Sequence, residues 1–270
     1  MTNNQNLNLA VVGHVEWVTH TNAPYIPPAG EIVHLTDPLT QPAGGGAVTA
    51  AALVRMGAGV RFFTAAGDDV PLVEAMEQLG VKTYAAPRPG RHTRTLVMRD
   101  PSGERTICVI GANLQPAAED PLPWGSLADC DGVYFTGSDP ATLRLARQAR
   151  VLVVTARRFD VLVASGVQAD ALVGSGSDRG EQYDLGRLAV QPRHVVVTDG
   201  ERGGTGYRAV PPPAPRVDSY GAGDTFVAGL LFGLADGRPL ARALALAAEQ
   251  AAEAVTWRGA YPPQGPRVSW

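Results

Sequence analysis

The residue types best suited to chemistry fall in one short run, Val217-Asp218-Ser219-Tyr220-Gly221-Ala222-Gly223-Asp224-Thr225-Phe226. Gly221 and Gly223 allow positive φ angles and a close backbone approach that a Cβ would resist. Phe226, Val227, Leu230, Leu231 and Leu234 then recur at helical spacing as far as Asp236-Gly237, and Pro239 opens a further helix. Small residues therefore sit at a helix N-terminus, where backbone N–H groups lack partners and the macrodipole is positive. Such a terminus suits a phosphate. Asp224 falls in the first turn, beside any anion bound there. A carboxylate repels a neighbouring phosphate, so the chemistry that accounts for it is removal of a proton from an attacking hydroxyl. The helix dipole is expected to keep Asp224 ionised and hence a weak base. Gly-Ala-Gly-Asp by itself equally suits a plain helix start.

Elements that could position this run are legible along the chain. Leu7 to Val12 reads as an apolar strand ending at Gly13, and the polar residues after it, Glu16 among them, suit the carboxyl edge of an α/β sheet. Thr19 to Thr40 is too long for a simple α/β connection and reads as a small excursion of strands, with Glu31 to Leu35 as its β-type patch. Gly44-Gly45-Gly46 opens a helix, Ala47 to Met56, whose free N–H groups suit hydroxyls or phosphate. Val60 to Ala65 is a strand, and Gly67-Asp68-Asp69 caps a helix over Val70 to Leu79. Thr93 to Arg99 and Arg105 to Ile110 flank a turn and form a hairpin, which joins the earlier strands in a small β lid. Strands then alternate with helices: Gly132 to Phe135, Pro140 to Ala149, Val151 to Thr155, Ala171 to Val173, a helix over Ser177 to Leu188, and His194 to Thr198. Strand-like Thr205 to Ala209 and Pro211 to Val217 follow, and Leu240 to Val255 is the last helix. This rhythm predicts a largely parallel sheet covered by helices.

Composition removes several function classes. The 270 residues carry a net charge of −3 and are 45% hydrophobic, which suits one large domain or a domain with a small excursion. Dispersed charge without a basic patch speaks against nucleic acid as a partner. No apolar run reaches membrane-spanning length, and the polar start Thr2 to Asn8 is unlike a signal peptide, so a cytoplasmic protein is expected. Cys108 and Cys130 have no metal or disulfide spacing and read as buried thiols. Lys82 is the only lysine, so Walker A chemistry is absent, as is the Lys–Glu pair of protein kinases. His-Glu-x-x-His, Gly-x-Ser-x-Gly and Gly-x-Gly-x-x-Gly are absent too. Without that last fingerprint, a nucleotide-binding oxidoreductase is not expected.

Nearly the whole chain resembles the ribokinase-like (PfkB) carbohydrate kinases. Asp218-Ser-x-Gly-Ala-Gly-Asp-x-Phe-x-Ala-Gly-Leu230 resembles their C-terminal signature. Gly44-Gly45-Gly46-Ala47 through Gly57-Ala58 resembles their Gly-Gly motif and helix, and Gly67-Asp68-Asp69 a recurring turn. Gly103-Glu104-Arg105-Thr106 is similar to the lid hairpin, and Thr198 to Gly203 to the segment lining the nucleotide. The resemblance implies a Rossmann-like, mostly parallel sheet with helices on both faces and a β-sheet lid, formed by segments about 14–42 and 91–112 of a single kinase domain over residues 1–270. It implies ATP and Mg²⁺ as cosubstrates, a monovalent cation as an open requirement, and transfer of the γ-phosphoryl to a hydroxyl of a small sugar or sugar-like alcohol. On it, Asp224 is the base and the N–H groups of Gly221, Ala222 and Gly223 form the anion hole. Thr198, Gly200 and Gly203 lie along ATP, and Glu16, Gly44 and Gly45 face the acceptor.

Three positions depart from the family pattern. Val48 stands where an Asn is usual, Glu16 where an Asp is usual, and Ser175-Gly176-Ser177-Asp178 replaces Asn-x-x-Glu. Asp178, or Glu181 in its place, is then the metal carboxylate, with Ser175 and Asp178 on the nucleotide side. A nucleoside kinase of the same family and a non-catalytic sugar- or nucleotide-binding protein are the alternatives. The lid strands offer exposed edges for a homodimer.

Overall fold

The computed structural model describes residues 7–263, so residues 2–6 of the polar start lie outside them. Its strands are β1 (Asn8–Val12), β2 (Glu16–Asn22), β3 (Thr36–Ala43), β4 (Gly59–Ala66), β5 (Lys82–Pro87), β6 (Arg94–Arg99), β7 (Arg105–Ile110), β8 (Gly132–Phe135), β9 (Val151–Thr155), β10 (Ala171–Ser175) and β11 (His194–Thr198). Its helices are α1 (Gly45–Arg55), α2 (Leu72–Gln78), α3 (Pro140–Ala146), α4 (Phe159–Ser165), α5 (Ala222–Ala235) and α6 (Leu240–Ala254).

Strands β1, β8 and β9 are apolar on both faces because both faces are covered. Leu9 and Val11 point into a core shared with α1, α5 and α6, and Ala10 and Val12 into a second core with α3 and α4. The seven strands run in the order β11-β10-β9-β8-β1-β4-β5, all parallel. A separate four-stranded sheet has the order β3-β2-β6-β7. Its outer pairs are antiparallel and β2–β6 is parallel. The fold is the α/β sheet with a small second sheet that the sequence pattern predicts. Among the described residues no helix is long and apolar enough to cross a membrane.

The helix carrying Asp224 is held by glycine contacts. A Cβ on Gly229 would lie 2.6 Å from Ala247 Cα, and one on Gly233 2.7 Å from Ala243 Cα. The Ala stripe of α6 therefore touches the α5 backbone itself. Gly233→Leu is expected to destabilise the protein by about 1–3 kcal/mol through overpacking, read as a lowered midpoint in urea unfolding.

Several local expectations are corrected. Ser177 to Leu188 is not a helix but two short 3₁₀ turns, Arg179–Glu181 and Leu185–Arg187. Asp178 and Asp184 each accept the N–H two residues on, at 2.8 and 2.9 Å, which competes with helical bonding. Glu31 to Leu35 is irregular, and pairing starts at Thr36 on an edge strand that tolerates Pro38 and Pro42. Thr205 to Ala209 forms only isolated bridges, and Pro211 to Val217 no strand. Asp68 and Asp69 cap no helix. They accept the N–H groups of Gly90 and His92, tying down the base of β6. Helix α4 is a single seven-residue element that the periodicity was too short to signal. Cys130 is buried, but Cys108 is exposed on β7.

Candidate active site

Two helix N-termini meet. Gly221, at φ 76°, caps α5, and Gly44, at φ 86°, caps α1. Thr49 Oγ1 of α1 donates to the Asp224 carbonyl at 3.1 Å, locking the helices together. A Cβ placed on Gly45 would lie 3.1 Å from Asp224 Oδ1, so the start of α1 faces the carboxylate directly. Gly221 must be glycine on two counts: its left-handed backbone, and Val48 Cγ1 3.0 Å from where a Cβ would lie. Gly223 departs from expectation. Its φ is not positive, and a Cβ there would meet nothing within 4 Å.

Glu16 opens β2 and is buried, rather than lying in a loop after β1. Its Oε2 accepts a hydrogen bond from Thr95 Oγ1 of β6 at 2.7 Å, and burial raises its carboxyl pKa. His14 Nε2 stands 3.6 Å from Glu16 Oε1, and His14 Nδ1 has no partner among the described residues. Burial first, then Arg158 and Arg157, lowers the His14 pKa to about 4, so the imidazole is neutral at physiological pH. A Cβ on Gly44 would touch both side chains, at 3.3 Å from His14 Nε2 and 3.4 Å from Glu16 Cγ. Glu16, Gly44, Gly45 and Asp224 are thus brought together. The Gly44 N–H, expected to face the acceptor, is instead donated to Tyr220 Oη at 3.2 Å.

The other predicted residues gather at the ends of β10 and β11. Glu181 Oε2 accepts the Ser175 N–H at 2.6 Å, and Glu181 Oε1 is 3.4 Å from Arg157. Burial is the main cause raising the Glu181 carboxyl pKa. Asp178 is paired with Arg157. Thr198 Oγ1 donates to the Gly174 carbonyl at 3.5 Å. Gly200 and Gly203, at φ 52° and 92°, shape the turn that follows, braced by an Asp199–Arg202 ion pair of 2.6 Å. Among the described residues no group of three or more His, Cys, Asp or Glu side chains could hold a metal ion. The donor set that exists is the Asp178–Glu181 pair. Mg²⁺ beside a nucleotide is bound by one or two carboxylates together with phosphate oxygens and water; here the oxygens of both side chains face protein partners, Arg157 for each and the N–H groups of Gly180 and Ser175, so Arg157 must give way for a metal to bind.

Sequence reasoning put His14 beside Glu16 at the sheet edge without giving it a role, and missed Arg105, Arg157, Arg158 and Tyr220 as site residues. Arg157 and Arg158 lie in the turn Ala156–Arg158 that follows β9, so the rule that ligands meet the carboxyl ends of strands could have found them. Arg105, at the start of β7, reaches Ser219 Oγ just before the Gly221 turn. Arg99 likewise donates to the Val217 carbonyl, so the small sheet closes on this segment at two points.

Burial raises the Asp224 carboxyl from 3.8 to about 6, against the pull of Arg105 and with the push of Glu181. Burial is the largest cause here, and Asp224 is a stronger base than the sequence suggested. A base must be ionised, so turnover limited by Asp224 is expected to fall as pH drops through about 6. The opposite sign holds for stability. The fold favours the protonated carboxyl, so stability is lost as pH rises through about 6. Asp224→Asn is therefore expected to raise Tm at pH 8 by more than at pH 4, in paired thermal melts.

A family model described as pfkB family carbohydrate kinase matches residues 6–158 and 158–265. The chain belongs to that family. Acarbose 7(IV)-phosphotransferase from Actinoplanes sp. is 47% identical over 74 residues, covering 24% of this chain and 25% of that protein. The match thus spans about a quarter of that relative. Among solved structures, ribokinase from Thermotoga maritima superposes with a TM-score of 0.74 at 21% identity, over 94% of each chain. Adenosine kinase from Sinorhizobium meliloti gives 0.75 at 18% identity, over 97% of each. These likenesses establish the ribokinase-like fold.

Proposed function

We propose that the chain transfers the γ-phosphoryl of ATP to a hydroxyl of a small sugar or sugar-like alcohol. One observation carries this reading: Asp224 stands in the first turn of α5, facing Gly45 at the start of α1, where two positive helix ends converge on a carboxylate raised to about 6. A group of that pKa accepts a proton from an attacking hydroxyl more readily than an ordinary aspartate.

The acceptor hydroxyl lies between Glu16 and Asp224, and Asp224 takes its proton as the bond to phosphorus forms. The N–H groups of Gly221 and Gly223 hold the charge on the transferring group, while that of Ala222, which donates to the Ser219 carbonyl at 3.4 Å, joins them only by sharing or leaving that long bond. Thr198, Gly200, Gly203 and Ser175 line the nucleotide. Asp178 and Glu181, freed from Arg157, would hold Mg²⁺, which would neutralise phosphate charge. The small sheet acts as a lid, tied down through Arg99 and Arg105, that keeps water from competing as acceptor. Its free edge β7 exposes Ile107, Val109 and Ile110, which a second copy would cover in a homodimer.

The test is ADP release from Mg·ATP against a panel of pentoses, hexoses and nucleosides. Acceptor-dependent ADP supports the reading, and the best acceptor separates sugar from nucleoside. ATP and sugar binding without ADP formation would instead favour a non-catalytic binding protein.

A further inference from the structure

Tyr220 is the residue that the signature leaves unexplained. It precedes the Gly221 turn, and its ring is 7% exposed, packed with Val18, Ala43, Val48, Val97 and Ala260. The edge of His20 from β2 stands against it, with centroids 4.5 Å apart at 89°. The Tyr220 N–H is held by Asp218 Oδ1 at 2.9 Å, so backbone and ring are both fixed.

The hydroxyl lies where two sides of the site join. It accepts the Gly44 N–H at 3.2 Å. A Cβ on Gly44 would touch His14 and Glu16, and one on the next residue, Gly45, would touch Asp224 Oδ1. A phenol has one proton to give besides the lone pairs that accept. Gly44 uses a lone pair, and no described residue takes the proton in a hydrogen bond. Burial, reinforced by Asp224 and Glu16, pushes the phenol further up, which keeps it a donor. The neighbouring position of α1 cannot do this work. Val48 is buried against the same ring and has no polar atom.

We propose that the Tyr220 hydroxyl, held by the Gly44 N–H, donates a hydrogen bond to a neutral hydroxyl of the acceptor between Glu16 and Asp224, supplying the polar contact that Val48 cannot. It is a specificity-determining residue, and it rests on the kinase reading only for the identity of the ligand as acceptor. A donor flanked by two carboxylates selects a polyhydroxy compound and disfavours an anionic group at that point, since like charges repel across a poorly solvated gap.

The experiment compares wild type, Tyr220→Phe and Tyr220→Phe/Val48→Asn with D-ribose, D-fructose, adenosine and the deoxy analogues of the best of them. Titration calorimetry and ADP release are both read. Losing one hydrogen bond predicts an acceptor Kd and KM raised about tenfold in Tyr220→Phe, with KM for ATP unchanged. One deoxy analogue is expected to bind wild type and Tyr220→Phe equally, because the contact is already missing. Val48→Asn is expected to recover part of the lost affinity. Unchanged acceptor affinity in Tyr220→Phe overturns the proposal. So does a loss shared by every deoxy analogue and by ATP, which would mark a purely structural role, and so does a wild type that binds none of these compounds. Sugar binding that weakens in Tyr220→Phe without any ADP formed by wild type would uphold Tyr220 and remove the kinase reading instead.

Discussion

Asp224→Ala is expected to lower kcat by about 10²–10⁴-fold, the range that loss of a positioned base produces, while ATP binding persists. The geometry makes this a clean substitution. The helix contact at this residue uses its carbonyl, which accepts from Thr49, and alanine keeps that carbonyl. Removing a carboxylate whose pKa burial lifts to about 6 relieves a cost rather than creating one. The variant should therefore be less active and at least as stable at pH 8. Single-turnover kinetics with labelled ATP, alongside a thermal melt, reads both. Near wild-type turnover would remove Asp224 from the base role.

Gly221→Ala is expected to be nearly as damaging, for a different reason. Its φ of 76° costs a residue with a Cβ about 1–2 kcal/mol. The new methyl would lie 3.0 Å from Val48 Cγ1, in a buried cluster with little room. The start of α5 must then shift, and with it the N–H groups proposed to face the transferring phosphoryl. Displacing one such donor costs about 10²–10³-fold in kcat. Gly223→Ala is the control, since a Cβ there meets nothing within 4 Å. It should leave Tm unchanged. A kcat loss in Gly221→Ala no larger than its stability loss explains would argue against an anion hole at this turn.

Much of this was legible in the sequence, and what was not has physical causes. The parallel sheet could be read because β1, β8, β9 and β10 are apolar on both faces, and the β6–β7 hairpin because Asp100 to Gly103 is a strong turn. Asp224, Glu16, Gly44 and Gly45 could be picked out singly, and the fold brings them together. The segment from Ser177 to Leu188 misled because it falls where the strand–helix rhythm calls for a helix, while Asp178 and Asp184 bond locally and Gly180 and Gly186 disfavour helix. Asp224 is mainly ionised at neutral pH as expected, but its basicity was underestimated because the dipole is a local property and enclosure is a tertiary one. Tyr220 and Arg157 escaped notice because their meaning lies in partners far along the chain: Tyr220 bonds Gly44, and Arg157 pairs with Asp178 and Glu181.

The most direct test of the central claim follows the phosphoryl group itself. Wild-type protein would be incubated with γ-labelled Mg·ATP and each panel sugar or nucleoside, and the label traced to acceptor or to free phosphate. Label is expected on one acceptor in step with the ADP formed, and none with Asp224→Ala. Label released only as free phosphate, or retained on ATP while the sugars bind, would contradict the central claim.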